Sequence, residues 1–228
     1  MKILMTGGSG LLGREIRKLD SKIIAPSHKE LDITDLKSIE KAIKKYKPDK
    51  ILNLAAANKP PQHETDPVPG LRVNIIGVAN LCLACHRANI KLIHTSTDYV
   101  YTGTGPHKES EALLPPSRFA WSKLGSESAV RMLSKFLILR IDFGPIPFPW
   151  EKVYRNHYVS KLYVDKMAVL VLKATKSKAT GVINLGGPRI SLEKYARKTK
   201  PNIESIPKPT WVPSDSSMDI SKMRKELR

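Results

Sequence analysis

The stretch Met1 to Gly13, M-K-I-L-M-T-G-G-S-G-L-L-G, constrains the fold of this chain more than any other. Lys2 to Met5 read as a short apolar strand. Gly7, Gly10 and Gly13 follow at three-residue spacing and run into Arg14-Glu15-Ile16-Arg17-Lys18-Leu19, a helix-like stretch. A strand, a tight glycine turn and a helix opening bring unpaired helix N–H groups up to a pyrophosphate. Glycine is required because a side chain would hold the backbone away from the phosphates, and because some of these positions call for positive φ. A plain strand–turn–helix without ligand is the bland alternative. The place of the turn, directly after a strand and before a helix, favours nucleotide binding.

The 228 residues suffice for one substantial domain, or a domain with a small appendage, and a hydrophobic fraction of 41% supports a core. No run of about eighteen apolar residues is present, so no membrane span is expected. The N-terminus lacks a signal-peptide pattern, because Lys2 is followed by only three apolar residues before Thr6 and the glycines. Cys82 and Cys85 are the only cysteines. Their C-x-x-C spacing lies in a helical-looking segment and reads as a buried, reduced pair rather than a redox centre. Adding His86 gives no convincing zinc spacing, so no metal is expected. A reducing, cytoplasmic setting fits. The formal charge of +18 would suit a nucleic-acid binder. The lysines, however, are spread along the whole chain with no basic tail and no aromatic-interleaved basic block. They read as a solvated surface whose field attracts a polyanion such as a dinucleotide or a nucleotide sugar, and no nucleic-acid partner is expected.

Lys22 to Pro26 reads as a second strand, followed by the loop Ser27-His-Lys-Glu-Leu-Asp32. In dinucleotide folds the end of this strand faces the adenosine ribose, where an acidic residue binds the 2′-hydroxyl. Here that place holds Ser27, His28 and Lys29, with no acid before Glu30. A small polar residue beside a cation accommodates a 2′-phosphate, which favours NADP(H) over NAD(H); the bland alternative is that Lys29 points to solvent. Asp35 is a plausible N-cap for a helix to Tyr46, stopped by Pro48. Lys50 to Ala57 is a buried strand ending in small residues, which leave room for a ligand. Asn58 to Gly70 carries four prolines and reads as a loop. Leu71 to Ala88 reads as a helix containing Asn74, and Ile90 to His94 as a strand. This β-α-β-α-β-α-β order predicts a parallel sheet covered by helices, a doubly wound α/β fold.

The strand at 90–94 runs into Thr95-Ser-Thr-Asp-Tyr-Val-Tyr-Thr-Gly103, a hydroxyl cluster where α/β enzymes place catalytic side chains. Together with Thr6-Gly-Gly-Ser-Gly-Leu-Leu-Gly13, Leu31-Asp-Ile-Thr-Asp35, Asn53-Leu-Ala-Ala-Ala57 and Asn74, the block Ser96-Thr-Asp-Tyr-Val-Tyr101 resembles the extended short-chain dehydrogenase/reductase superfamily. More narrowly, it is similar to the dTDP-4-dehydrorhamnose reductase group. Trp121-Ser-Lys-Leu-Gly125 with Glu127, Leu139-Arg140, Tyr163-Val-Asp165 and Asp215-Ser-Ser-Met-Asp-Ile-Ser-Lys222 extend the match over nearly the whole chain, in order.

The resemblance implies a Rossmann-type domain over 1–140 and a small substrate-binding region over 141–228, interleaved with it. It also implies hydride transfer from NAD(P)H to a 4-keto-6-deoxy nucleotide sugar. The cofactor would lie against Thr6, Gly7, Gly8, Ser9, Gly10, Leu11, Leu12 and Gly13, and against Ser27, His28, Lys29, Asp32 and Ile33. Ala55, Ala56, Ala57, Asn74, Ser96 and Lys123 would complete its site. In this family a Ser or Thr hydroxyl holds the carbonyl, a Tyr delivers the proton, and a Lys four residues later lowers the pKa of that Tyr. Thr97 matches the hydroxyl and Lys123 the lysine. The position of the Tyr holds Phe119, which has no proton to give.

Three readings of Phe119 stay open. One is an engineered Tyr→Phe change that keeps the ring and traps a ligand. The second is a natural non-catalytic binding or regulatory subunit. In the third, Tyr99, Tyr101 or a water replaces the lost hydroxyl. Substrate contacts would come from Thr97, Asp98, Tyr99, Arg140 and Arg189, with Lys152 and Arg155 as further diphosphate candidates. An epimerase, or a bifunctional epimerase–reductase, is the alternative activity, and a homodimer is compatible with the resemblance.

Beyond Arg140, Asp142 to Trp150 is rich in proline and aromatics and reads as a loop. Lys161 to Thr175 reads as a strand-like start and a helix, Gly181 to Gly186 as a strand, and Ser191 as the N-cap of a helix to Lys198. Pro201 to Pro213 reads as a loop, and Asp219 to Arg228 as a short closing helix.

Overall fold

A computed structural model describes residues 1–227. In chain order the elements are β1 Ile3–Thr6, α1 Leu11–Leu19, α2 Leu36–Tyr46, β2 Lys50–Asn53, α3 Pro60–Thr65, α4 Val78–Arg87, β3 Lys91–Thr97, α5 Arg118–Arg131 and β4 Phe136–Ile141. They continue with β5 Phe143–Gly144, β6 Lys152–Tyr154, β7 Tyr158–Val159, β8 Leu162–Tyr163, α6 Val164–Lys176 and β9 Gly181–Leu185. The last are β10 Ile190–Ser191, α7 Leu192–Arg197, β11 Glu204–Ile206 and α8 Ser221–Glu226. Position 228 of the expected closing helix lies outside the described residues.

The central sheet runs β1-β2-β3-β4-β9, every pairing parallel. Successive side chains point to opposite faces, and both faces are covered. Ile3, Met5, Leu52, Ile93, Leu137 and Leu139 enter one core with α1 and α6, while Leu4, Ile51, Leu92 and Ile138 enter the other with α2 and α4. Burial on both faces explains why these strands read as continuous apolar runs rather than alternating ones. A third, smaller core joins Phe148, Val153, Val159, Leu192, Tyr195 and Ile203 in the C-terminal part. Because β9 completes the main sheet beside β4, the segment 141–228 is woven into the first part of the chain.

Several expectations change in detail. The strand expected at Lys22–Pro26 is a single parallel bridge, Ile24 to Leu4, with Met5 N–H donating to the Ile24 carbonyl at 2.7 Å. Pro26 has no N–H to extend a ladder. The 58–70 loop contains α3, whose prolines sit in its first turn, where an N–H would be unpaired anyway. The helix expected from Leu71 begins as a π-helical stretch, Gly70–Gly77, before α4. The 142–150 and 201–213 loops carry the short strands β5 and β11. Among the described residues no helix is long and apolar enough to cross a membrane.

The Asp35 carboxylate accepts from Lys37 N–H at 2.9 Å, and Ser191 accepts from Lys194 N–H at 3.2 Å, so both expected N-caps form. Removing the first with Asp35→Ala is expected to cost about 1 kcal/mol. Urea denaturation checks this through a lowered midpoint with an unchanged slope, and an unchanged midpoint counts against the cap.

Candidate active site at the strand ends

Ile24 lies on one side of β1 and β2 on the other, so the order of strands reverses at β1. The crevice at the carboxyl end of such a reversal is where open α/β sheets bind ligands. The glycine turn occupies it. A Cβ on Gly7 would sit 2.7 Å from the Ala55 nitrogen, at a φ of +69°. A Cβ on Gly13 would sit 2.5 Å from the Gly7 carbonyl. The turn therefore closes against itself and against the end of β2, and only glycine permits both approaches. Gly10 caps α1 without a side chain, so the cap residue places no side-chain hydrogen bond on the first N–H groups of the helix.

Behind the turn a buried polar chain ties three strands to α5. The Thr6 hydroxyl donates to Asn53 Oδ1 at 2.5 Å, Asn53 Nδ2 donates to His94 Nδ1 at 3.0 Å, and His94 Nε2 donates to Ser126 Oγ at 2.9 Å. Ser126 in turn donates to the Lys123 carbonyl at 2.6 Å. Burial holds the His94 pKa well below its ordinary value, with Lys123 adding to the effect, so the ring is neutral. His94 was not singled out in the sequence. It sits in register with Asn53 on the neighbouring strand, a pairing visible only in the fold. Asn74 is committed to structure: it accepts from Ala57 N–H at 2.9 Å and donates to the Ala57 carbonyl and to Ser122 Oγ.

β3 runs three residues further than the sequence suggests and ends on Ser96 and Thr97. Ser96 Oγ is buried without a partner among the described residues. Thr97 caps the short turn Asp98–Val100, accepting Tyr99 N–H at 3.2 Å and donating to Asp98 Oδ1 at 3.1 Å. Lys123, on α5, reaches the same strand end, donating from Nζ to the Thr95 carbonyl at 2.7 Å. Burial lowers its pKa to about 8, against the raising influence of Glu127. Phe119 lies one helical turn before it, buried, with the His63 ring edge-on at 5.4 Å. His63 itself holds the Ala57 carbonyl through Nε2 at 3.1 Å.

The other sequence candidates divide. Ser27 donates from both N–H and hydroxyl to Glu30 Oε2 at 3.0 Å, so an acid folds back over the place expected to meet a ribose. Its neighbours His28 and Lys29 are exposed, whereas Asp32 is held by Thr34, and Ile33 packs under Gly77. Arg140 is not a diphosphate ligand. It is fully buried, with Nε and NH2 on the two oxygens of Glu127 at 3.0 and 2.8 Å and NH1 on the Tyr101 hydroxyl at 2.6 Å. Arg189 pairs with Asp215 at 2.9 Å and lies over the Tyr158 ring, with part of its side chain exposed. Lys152 pairs with Glu204 at the surface.

The family described as RmlD substrate binding domain matches residues 1–143. A dTDP-4-dehydrorhamnose reductase from Aggregatibacter actinomycetemcomitans is 36% identical over 203 residues, covering 83% of this chain and 63% of that protein. Several other curated relatives match over about half of their own length. Among solved structures, a hypothetical dTDP-4-dehydrorhamnose reductase from Sulfolobus tokodaii superposes with a TM-score of 0.87 at 28% identity, covering 100% of this chain and 95% of that one. A dTDP-4-dehydrorhamnose reductase from Bacillus anthracis in complex with NADP gives 0.88 at 23% identity, covering 99% and 92%, a likeness of fold alone.

Proposed function

The chain belongs to the RmlD substrate binding domain family, and on that footing we propose that it is an NADP(H)-dependent reductase of a dTDP-linked 4-keto-6-deoxy sugar. The observation that carries this reading is the reach of Lys123 to the end of β3, where it donates to the Thr95 carbonyl two residues before Thr97, in the same row of strand ends as the glycine turn. The turn Thr6–Gly13 would hold the pyrophosphate, Ser27 to Lys29 the adenosine ribose, and Ser96 and Lys123 the nicotinamide end. The orphaned Ser96 hydroxyl and the helix start without a side-chain cap fit such a ligand. When bound, the reduced nicotinamide supplies the hydride for the ketone carbon. Thr97 holds the ketone oxygen by donating its hydroxyl, and Lys123 brings a positive charge to the strand end. Phe119 gives no proton, so the reaction runs without the phenol usual in the family. Loss of NADPH absorbance on adding dTDP-4-dehydrorhamnose tests the reading; with no loss, in this chain or in its Phe119→Tyr form, it fails.

The buried, unpaired Cys82 and Cys85, their thiols pushed up to about 12 by burial, suit a reducing compartment, and we place the protein in the cytoplasm. Phe119 also supports a second reading, a cofactor-binding chain that does not turn its ligand over.

The proposed preference for NADP(H) has to overcome the Glu30 carboxylate that the fold brings to the ribose place, which gives it a residue-level test. Glu30, whose pKa is lowered chiefly by the Ser27 N–H and hydroxyl, carries its charge at neutral pH where a 2′-phosphate would approach. Glu30→Gln is expected to tighten NADPH about fivefold and leave NADH nearly unchanged. Fluorescence titration with each dinucleotide reads this, and equal shifts for both would place the 2′ position elsewhere.

A further inference from the structure

A chain with Phe119 needs another source for the proton that the ketone oxygen must gain. The nearby tyrosines do not serve. The Tyr101 hydroxyl is buried, donates to Asn184 Oδ1 at 2.8 Å and accepts from Arg140. Burial, with Asp142 adding to it, drives the Tyr99 pKa well above its ordinary value, which makes its phenol a poor proton donor. His63 is held on the Ala57 carbonyl.

Thr97 has a different neighbour. We propose that the Asp98 carboxyl, seated between Ser216 and Thr97, is the proton source of this active site, and that the Thr97 hydroxyl passes the proton to the ketone oxygen. The proposal rests on the reductase reading above.

Asp98 is only 2% exposed. Its Oδ1 lies 3.1 Å from Thr97 Oγ1, and its Oδ2 accepts the Ser216 hydroxyl at 2.6 Å. A threonine hydroxyl has one proton and two lone pairs. At Thr97 the Tyr99 N–H takes one lone pair. In the structure the Thr97 hydroxyl donates to Asp98 Oδ1; with Asp98 protonated that bond reverses, the second lone pair accepts the Asp98 O–H, and the Thr97 proton is free to point at a ketone.

The surroundings favour a protonated Asp98. Burial raises its pKa well above the usual carboxylate range, and Asp142, on the segment between β4 and β5, adds to this. Three groups oppose the rise: Ser216 from the C-terminal segment, Lys161 from before β8, and Thr97 beside it. Lys161 is largely engaged with Asp142, at 2.5 Å. His157 lies behind Ser216, its Nε2 at 3.5 Å, and burial lowers its pKa to about 4, so it brings no charge at neutral pH.

The balance is complete. The ketone carbon gains a hydride, with its two electrons, from a reduced nicotinamide. The ketone oxygen gains the Thr97 proton, Thr97 gains the Asp98 proton, and Asp98 is left as a carboxylate. The products are the sugar alcohol and oxidised nicotinamide, and Asp98 recovers its proton from solvent after release. Asp98 acts through Thr97, so it positions and supplies rather than touching the sugar.

Four proteins test this: the chain, Asp98→Asn, Phe119→Tyr and the double variant. Infrared spectra at neutral pH, recorded without cofactor or substrate, are expected to contain a protonated carboxyl band that Asp98→Asn lacks. With NADPH and dTDP-4-dehydrorhamnose, the chain is expected to turn over slowly, losing rate as pH rises through the Asp98 pKa. Asp98→Asn is expected to be slower by about 10²-fold. The double variant is expected to recover to within about tenfold of Phe119→Tyr, because a phenol bypasses the relay. Four results overturn the proposal: no such band, an Asp98→Asn rate equal to that of the chain, a double variant as slow as Asp98→Asn, or an inactive chain beside an active Phe119→Tyr. The last leaves the reductase reading standing. Inactivity of the chain and of Phe119→Tyr together removes both.

Discussion

Phe119→Tyr is expected to raise turnover of a 4-keto nucleotide sugar by about 10²-fold, the lower end of what a positioned acid contributes. The geometry for a phenol is already built. Residue 119 stands one turn before Lys123 on α5, a helix held by Ser126 to His94 on β3, by Ser122 to Asn74, and by the Lys123 ammonium to the end of β3. Lys123, with its pKa near 8, carries its charge through most of the neutral range, and a nearby cation favours tyrosinate. The change adds one oxygen to a ring already packed against His63, so folding is expected to survive it. Steady-state rates with saturating NADPH measure the gain. An unchanged, negligible rate would mean that the site lacks more than a hydroxyl, and would favour the non-catalytic reading.

The largest expected loss of stability comes from Glu127. Its carboxylate and the Arg140 guanidinium are both fully buried and joined through two hydrogen bonds. Glu127→Ala would leave the guanidinium uncompensated in the core, at a cost of about 3–5 kcal/mol. The damage would spread, because Arg140 also donates to Tyr101, whose hydroxyl reaches Asn184 on β9. The exposed pair Lys18–Glu15 offers the contrast: deleting it is expected to cost below about 1 kcal/mol. Denaturant midpoints of Glu127→Ala and Glu15→Ala measure the difference, and similar small losses would contradict the assignment of Arg140 to the core.

That assignment marks the limit of reading side chains from sequence. Arg140 lies within the apolar strand β4, and there a cation bound for a phosphate looks the same as one bound for a carboxylate. Only the packing of α5 on β4 brings Glu127 to it. The glycine turn, the parallel sheet and the N-caps at Asp35 and Ser191 were legible because each rests on local chemistry: backbone approach, apolar runs, a capping oxygen. The second strand reads longer in the sequence than it is in the structure, where one bridge at Ile24 and a proline end its pairing. The prolines at 60 and 61 read as loop when they open α3. At the site, Thr97, Lys123 and Phe119 were placed by motif. Their supports His94 and Ser126 come from distant parts of the chain and carry no local signal; Ser216 stands in the closing Asp215–Lys222 stretch that carries the resemblance, but that stretch does not show that Ser216 reaches Asp98. Glu30 was visible as the nearest acid, but its turn back onto Ser27 was not.

The most direct test counts both products. The chain and its Phe119→Tyr form are incubated with NADPH and dTDP-4-dehydrorhamnose, and the sugar is followed by chromatography while the dinucleotide is followed by absorbance. A reductase consumes one NADPH for every keto sugar converted to its alcohol, slowly in the chain and faster with Tyr at 119. A keto sugar rearranged with NADPH untouched, or left unchanged by both proteins, would contradict the account.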